Sequence, residues 1–245
     1  MRPVTAPLPR RLLAELLGTA LLVTVVVGSG ITAQQLSPDD VGLQLLENSL
    51  ATVLGLTALI LLFGPVSGAH LNPVVSLADW FLGRRAGSGL SLPEVAAYAA
   101  AQVVGGIAGA FLANVMFEVG AGLSGQERAT GGPLVGEVVA TAGLVALVFA
   151  LVRSDRGAAA APAVGAYIGA AYWFTSSTSF ANPAVTVGRM FSDTFAGIAP
   201  SSVPAFVGMQ LVGLAVGVVL TLALYPDAGE SADEVVLPHG APGGR

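Results

Sequence analysis

Ser67-Gly68-Ala69-His70-Leu71-Asn72-Pro73-Val74 and, 110 residues after it, Ser177-Thr178-Ser179-Phe180-Ala181-Asn182-Pro183-Ala184 decide the fold of this chain. Each stretch closes one long apolar segment and opens a short one. Proline is favoured in the first turn of a helix, and the residue before it is pushed toward extended backbone. Each stretch therefore predicts a non-helical run leading through Asn-Pro into a short helix. The apolar segments that follow, about 73–83 and 183–197, are shorter than the ~20 residues a membrane crossing needs. They predict re-entrant half-helices. Non-helical backbone at membrane depth has to be buried in protein or line a water-filled cavity. Its free carbonyls then offer acceptors to a passing molecule, and the two Asn amides offer N–H donors where the short helices meet.

Six longer apolar segments surround these two, at about 12–31, 44–63, 93–117, 134–152, 160–175 and 203–225. Of the 245 residues 54% are hydrophobic and 10% charged, where a soluble domain carries about a quarter charged. The fold class predicted is an all-α membrane protein with six transmembrane helices and two re-entrant half-helices. Residues 1–10 form the N-terminus, 11–225 the channel-like body, and 226–245 an acidic tail that reads as disordered, with Asp227, Glu230, Asp233 and Glu234. Arg10-Arg11 before an apolar run resembles a signal peptide, but the run from Leu12 to Ile31 has the length of a span and further spans follow.

The two halves repeat, about 11–118 and 133–225. Glu15 lies early in the first span and Glu137 early in the fourth; Asn72 pairs with Asn182, and Gln102 with Gln210. Three spans per copy is an odd number, so the second copy enters from the opposite side as an inverted repeat. Arginine sets the orientation. In a cell membrane with both termini cytoplasmic, Arg2, Arg10, Arg11, Arg84, Arg85, Arg153, Arg156 and Arg245 face the cytoplasm and only Arg128 and Arg189 fall outside.

Several functions are excluded or disfavoured. No cysteine is present, which removes thiol catalysis and thiolate metal sites. No basic surface suits nucleic acid, and no triad, phosphate loop or ligand cluster suits an enzyme or a cofactor. His70 lacks companions at metal-ligand spacing and is expected to brace loop backbone, as are Glu15 and Glu137. Both half-helix N-termini carry partial positive charge toward the bilayer midplane, a field that opposes cations and proton hopping. A passive pore for neutral solutes follows. Two alternatives stay open: an ion- or proton-coupled transporter, in which Glu15 and Glu137 would carry the coupling, and a poorly conducting structural membrane protein. Flux indifferent to ionophores favours the pore, uptake that collapses with the proton gradient favours the transporter, and absence of flux favours the third.

The run SGAHLNP, the second Asn-Pro-Ala and the paired Glu and Gln positions resemble the aquaporin (major intrinsic protein) family over residues 11–225. The resemblance implies a midplane formed by Asn72, Pro73, Val74, Asn182, Pro183 and Ala184, a pore in every protomer, a homotetramer in the lipid bilayer and small neutral solutes as permeants. It also implies an outer constriction, carried over by spacing to Thr52, Ala170, Ser179 and Val185. Familiar members have Arg directly after the second Asn-Pro-Ala; here Val185 stands there, and Thr186 stands where glycerol facilitators have Asp. Small residues at these positions predict a wide ring without its usual guanidinium, open to polyols, urea-like solutes and neutral metalloid hydroxides. Microbial members with this Val-containing pattern resemble the aquaglyceroporins associated with arsenicals. Arg189, one helical turn beyond Val185, is a possible mouth charge, against which stands its pairing with Asp193 or anchoring of the half-helix. Tyr172, Trp173 and Phe174 are expected in an interfacial belt.

Overall fold

Proline, glycine and small polar residues fix where each helix begins and ends. In the computed structural model, which describes residues 6–84, 87–120, 122–154 and 156–226, α1 spans Leu8–Leu36, with Pro9 in its first turn, and stops before Ser37-Pro38. The α2 helix, Val41–Ser67, starts where the Asp40 side chain accepts from the Leu43 N–H at 2.9 Å, and ends at Gly68 in the left-handed region, φ 86°. Then come α3 (Pro73–Gly83), α4 (Leu92–Met116), α5 (Gly131–Arg153), α6 (Ala160–Phe174), α7 (Pro183–Arg189) and α8 (Val203–Leu224). The acidic tail from residue 227 lies outside the described residues.

Five of these helices are long and apolar enough to cross a membrane on their own. The sixth, α6, has 15 residues and rises only ~22 Å; the 3-10 turn Gly157–Ala159 that leads into it lengthens the crossing. With α3 and α7 this gives six spans and two half-helices. Leu13, Leu54, Leu62, Val115, Val139 and Val219 lie exposed on the outward faces, the placement a lipid solvent favours.

The second half-helix is shorter than the sequence predicts. The apolar run suggests 183–197, but α7 ends at Arg189. Ser192, Asp193 and Thr194 break it, because short polar side chains compete with helical backbone for hydrogen bonds. The chain then turns back as a strap, where the Arg128 guanidinium donates to the Gly197 and Phe195 carbonyls at 2.6 and 2.8 Å and Arg189 Nε donates to the Ala196 carbonyl.

Helix α1 packs on α4 and α5 on α8, the same pair in each half. Small residues make the contact close, as apolar bundles in lipid require. A Cβ on Gly105 or Gly109 would stand 2.3 or 2.1 Å from the Leu16 or Ala20 carbonyl oxygen of α1. A Cβ on Gly213 or Gly217 would meet the Val138 and Ala142 carbonyl oxygens of α5 at 2.7 and 2.8 Å. These paired contacts set the two halves around a central lumen, with α3 and α7 meeting at its middle.

Candidate functional site: the central pore

The two re-entrant loops share one unusual backbone path. Ala69 and Leu71 in the first, and Thr178, Ser179 and Ala181 in the second, have positive φ between 46° and 58°. For non-glycine residues this costs roughly 1–2 kcal/mol each, or about 5–10 in all. The buried carboxylates of α1 and α5 hold the loops in place. Glu15 accepts from the His70 and Leu71 N–H groups at 3.0 and 2.6 Å, from Ser67 Oγ at 2.6 Å and from Gln102 Nε2 at 2.7 Å. Glu137 accepts from the Phe180 and Ala181 N–H groups, both at 2.9 Å, and from Gln210 Nε2 at 2.6 Å. Four backbone bonds to carboxylates, at about 1.5–3 kcal/mol each, are enough to offset the strain. Every partner donates, so an acceptor-only carboxylate is what each site fits.

The correspondence extends outward. Ser67 Oγ accepts from the Ala69 N–H and Ser177 Oγ from the Ser179 N–H, both at 3.1 Å. Gln102 Nε2 donates to Ser76 Oγ at 3.3 Å and Gln210 Nε2 to Thr186 Oγ1 at 2.8 Å. The His70 ring meets Tyr98 edge-on at 5.4 Å, as Phe180 meets Phe206 at 5.2 Å.

At the middle, each Asn caps its own half-helix. Asn72 Oδ1 accepts from the Val74 N–H at 3.0 Å, and Asn182 Oδ1 from the Ala184 N–H at 2.9 Å. Each amide then crosses to the other loop. Asn72 Nδ2 donates to the Ala181 carbonyl at 2.8 Å, and Asn182 Nδ2 to the Leu71 carbonyl at 2.7 Å. One N–H of each amide is thereby used, and the second remains available. Pro73 and Pro183 occupy the first helical positions, and Val74 and Ala184 are wholly buried behind them.

A cavity of about 70 Å³ runs past both Asn side chains, which at ~10–15 Å³ per water holds a short file of several molecules. Its walls are largely apolar: Leu22, Val26, Leu56, Ile60, Val75 and their second-half counterparts Leu144, Val148, Val164, Ile168 and Val185. His70 also lines it, with Nδ1 at 3.0 Å from Ser76 Oγ.

Of the four positions that spacing assigns to the outer constriction, three border the cavity. Thr52, Ser179 and Val185 line the cavity; Ala170 does not, and is exposed on the outer face of α6. The lumen face of α6 is Ala160, Val164, Ile168 and Tyr172, every fourth residue, and a position two residues off such a stripe points to the opposite side. The same four-residue stripe in α2, Thr52-Leu56-Ile60, was the signal in the sequence that could have found it. Tyr172 therefore leaves the expected interfacial belt and borders the cavity, buried, with its hydroxyl 3.2 Å from Thr52 Oγ1. Trp173 and Phe174 stay exposed.

Arg189 also reaches the lumen. It is 2% exposed and lines the cavity, and its guanidinium carbon stands 3.5 Å from the centre of the Phe180 ring. It makes no pair with Asp193, whose carboxylate accepts from the Gly125 N–H at 3.0 Å. Outside the spans, Ser201 and then Ser202 donate to Glu127 and hold its carboxyl below the usual carboxylate range, tying the 117–130 loop to the start of α8.

Comparison with known proteins agrees with this architecture. Residues 4–179 match the family described as Major intrinsic protein. The chain is 48% identical over 207 residues to "Aquaglyceroporin AqpS" of Rhizobium meliloti (strain 1021), covering 84% of this chain and 86% of that one. It is 35% identical over 123 residues to "Aquaporin Z" of Photorhabdus laumondii, covering 50% and 49% of the two. The X-ray structure of the aquaglyceroporin from Plasmodium falciparum superposes with a TM-score of 0.63 at 22% identity, covering 89% of this chain and 96% of that one, a likeness of fold.

Proposed function

Because the chain belongs to the major intrinsic protein family, and is thus a multi-pass membrane channel that passes water and glycerol-type solutes passively rather than an enzyme, we propose that its permeants are small uncharged hydroxyl-bearing molecules, neutral metalloid hydroxides among them. The single observation that supports this most is the pair of crossed Asn amides, Asn72 to Ala181 and Asn182 to Leu71, set in a largely apolar lumen. A solute shedding water there meets N–H donors at one point and loop carbonyls on either side, and little else that is polar. Val185 and its counterpart Val75 line the apolar wall without adding charge.

The roles follow from position. Asn72 and Asn182 with Pro73, Pro183, Val74 and Ala184 form the midplane station; Glu15, Glu137 and His70 support the loops; Thr52, Ser179 and Val185 belong to the outer ring. The arginine distribution supports both termini inside, and the family supports a homotetramer with one pore per protomer. The likeness to a relative whose name is aquaglyceroporin favours solutes larger than water.

The test is flux in proteoliposomes holding the purified chain. Light scattering should report water, glycerol and undissociated arsenous acid entering at rates linear in gradient and unchanged by proton ionophores. Uptake that saturates and collapses with the proton gradient would point instead to a coupled transporter. Water flux with neither glycerol nor arsenous acid would remove the solute class proposed.

A further inference from the structure

Arg189 is a cation in the wall of a membrane pore with no carboxylate within ion-pair distance among the described residues. Burying an unpaired charge at membrane depth is costly, and such residues persist where they act on what passes. Two contacts hold it: Nε donates to the Ala196 carbonyl, and the guanidinium carbon stands over the Phe180 ring, 3.5 Å from its centre. Stacking over an aromatic face leaves the edges of the guanidinium for other partners. None of its terminal nitrogens is a fully enclosed atom lacking a partner, and the residue borders the cavity.

The groups around it have unused hydrogen-bonding capacity. Ser179 borders the cavity, and its Oγ is buried with no protein partner among the described residues. Thr52 Oγ1 donates to the Asn48 carbonyl at 2.8 Å. Its contact with Tyr172 at 3.2 Å therefore runs from the Tyr172 hydroxyl to Thr52. That leaves the Tyr172 oxygen as an acceptor beside the lumen. A guanidinium donor, an acceptor and a residue with an unpartnered hydroxyl thus border the same cavity.

We propose that Arg189, held over the Phe180 ring and bordering the same cavity as Tyr172, supplies the positive charge and the paired N–H donors of the outer constriction, a turn further along the chain than the position Val185 occupies. The class of solute it selects is a neutral molecule with neighbouring hydroxyls, which accepts from the guanidinium and donates to Tyr172 or Ser179. The same charge bars cations before they reach the midplane. This inference rests on the channel reading above and deepens it.

The experiment compares wild type, Arg189→Gln, Arg189→Lys and the double variant Val185→Arg/Arg189→Gln in proteoliposomes, reading glycerol flux, water flux and the leak of protons and potassium. A wild type that passes neither water nor glycerol overturns the channel reading itself. With the wild type conducting, Arg189→Gln should raise the ratio of cation leak to water flux by about tenfold, and the double variant should lower it again. A folded Arg189→Gln protein with wild-type ratios for cations and glycerol overturns the inference and leaves Arg189 as a brace for the strap. Where Arg189→Gln does not reach the membrane, Arg189→Lys decides: it keeps the charge but loses the planar fork. A several-fold fall in glycerol relative to water supports the assignment, and an unchanged ratio overturns it.

Discussion

At the scale of single residues, the carboxylates of Glu15 and Glu137 decide whether the re-entrant loops keep their strained path. Glu137 receives the Phe180 and Ala181 N–H groups, which have no alternative partner within helix or strand. Glu137→Leu leaves both buried donors unsatisfied, at about 1–3 kcal/mol each, and frees Ala181 to leave its positive φ. The expected result is a melting temperature of the detergent-solubilised protein lowered by several degrees together with loss of flux. Glu137→Gln, which still offers one acceptor oxygen, should lie between. A Leu variant as stable as the wild type would show that the loop holds itself. These two glutamates and both Asn-Pro pairs were legible in the sequence because their order repeats in the two halves. Tyr172 was not, because offsets carried over from a familiar pattern ignore which face of a helix a residue occupies. Arg189 was visible as a charge, but its seat on Phe180 depends on the fold of the strap from Ser192 to Ala199.

Among the elements, the starts of the two half-helices were legible because the Asn-Pro pairs mark them. The end of α7 was not, because an apolar run continues past Arg189 and tertiary bonds to the Phe195, Ala196 and Gly197 carbonyls override it. The contact of α1 with α4 is the clearest case of an element positioned by what a residue lacks. At Gly109 an added Cβ stands 2.1 Å from a backbone oxygen that cannot rotate away, and the same oxygen accepts from Thr24 Oγ1 at 2.8 Å. Thr24 also reaches across to the Gly109 carbonyl at 3.1 Å. Gly109→Val should therefore separate the helices, destabilise the protein by more than about 2 kcal/mol through overpacking and reduce flux by disturbing the lumen face of α1. Gly208 in α8, where an added Cβ meets nothing within 4 Å, is the matched control. Gly208→Ala should be neutral or slightly stabilising. Thermal unfolding of the two variants in the same detergent checks the contrast, and equal melting temperatures would refute it.

For the whole molecule, the inverted repeat makes a statement about sides. Gln126 lies between α4 and α5, Ala158 between α5 and α6, and Ser201 at the start of α8; all three are exposed. One crossing, α5, separates Gln126 from Ala158. Between Ala158 and Ser201 come α6, which crosses, and α7, which enters and turns back. Gln126 and Ser201 must then share a side, as the bonds from Ser201 and Ser202 to Glu127 require, with Ala158 on the other. Because the chain has no cysteine of its own, single substitutions Gln126→Cys, Ala158→Cys and Ser201→Cys can be labelled without background. With both termini inside, a membrane-impermeant maleimide added to intact cells should mark the first and third, and Ala158→Cys only after lysis. Labelling of Ala158→Cys alone would invert the orientation read from the arginines while preserving the fold. Gln126→Cys and Ser201→Cys on opposite sides would be a deeper failure, since α7 would then cross the bilayer rather than return from its middle. The two Asn amides could not face each other across one pore in that case. The side of a single serine at position 201 thus tests the geometry on which the crossed bonds from Asn72 and Asn182, and with them the pore, depend.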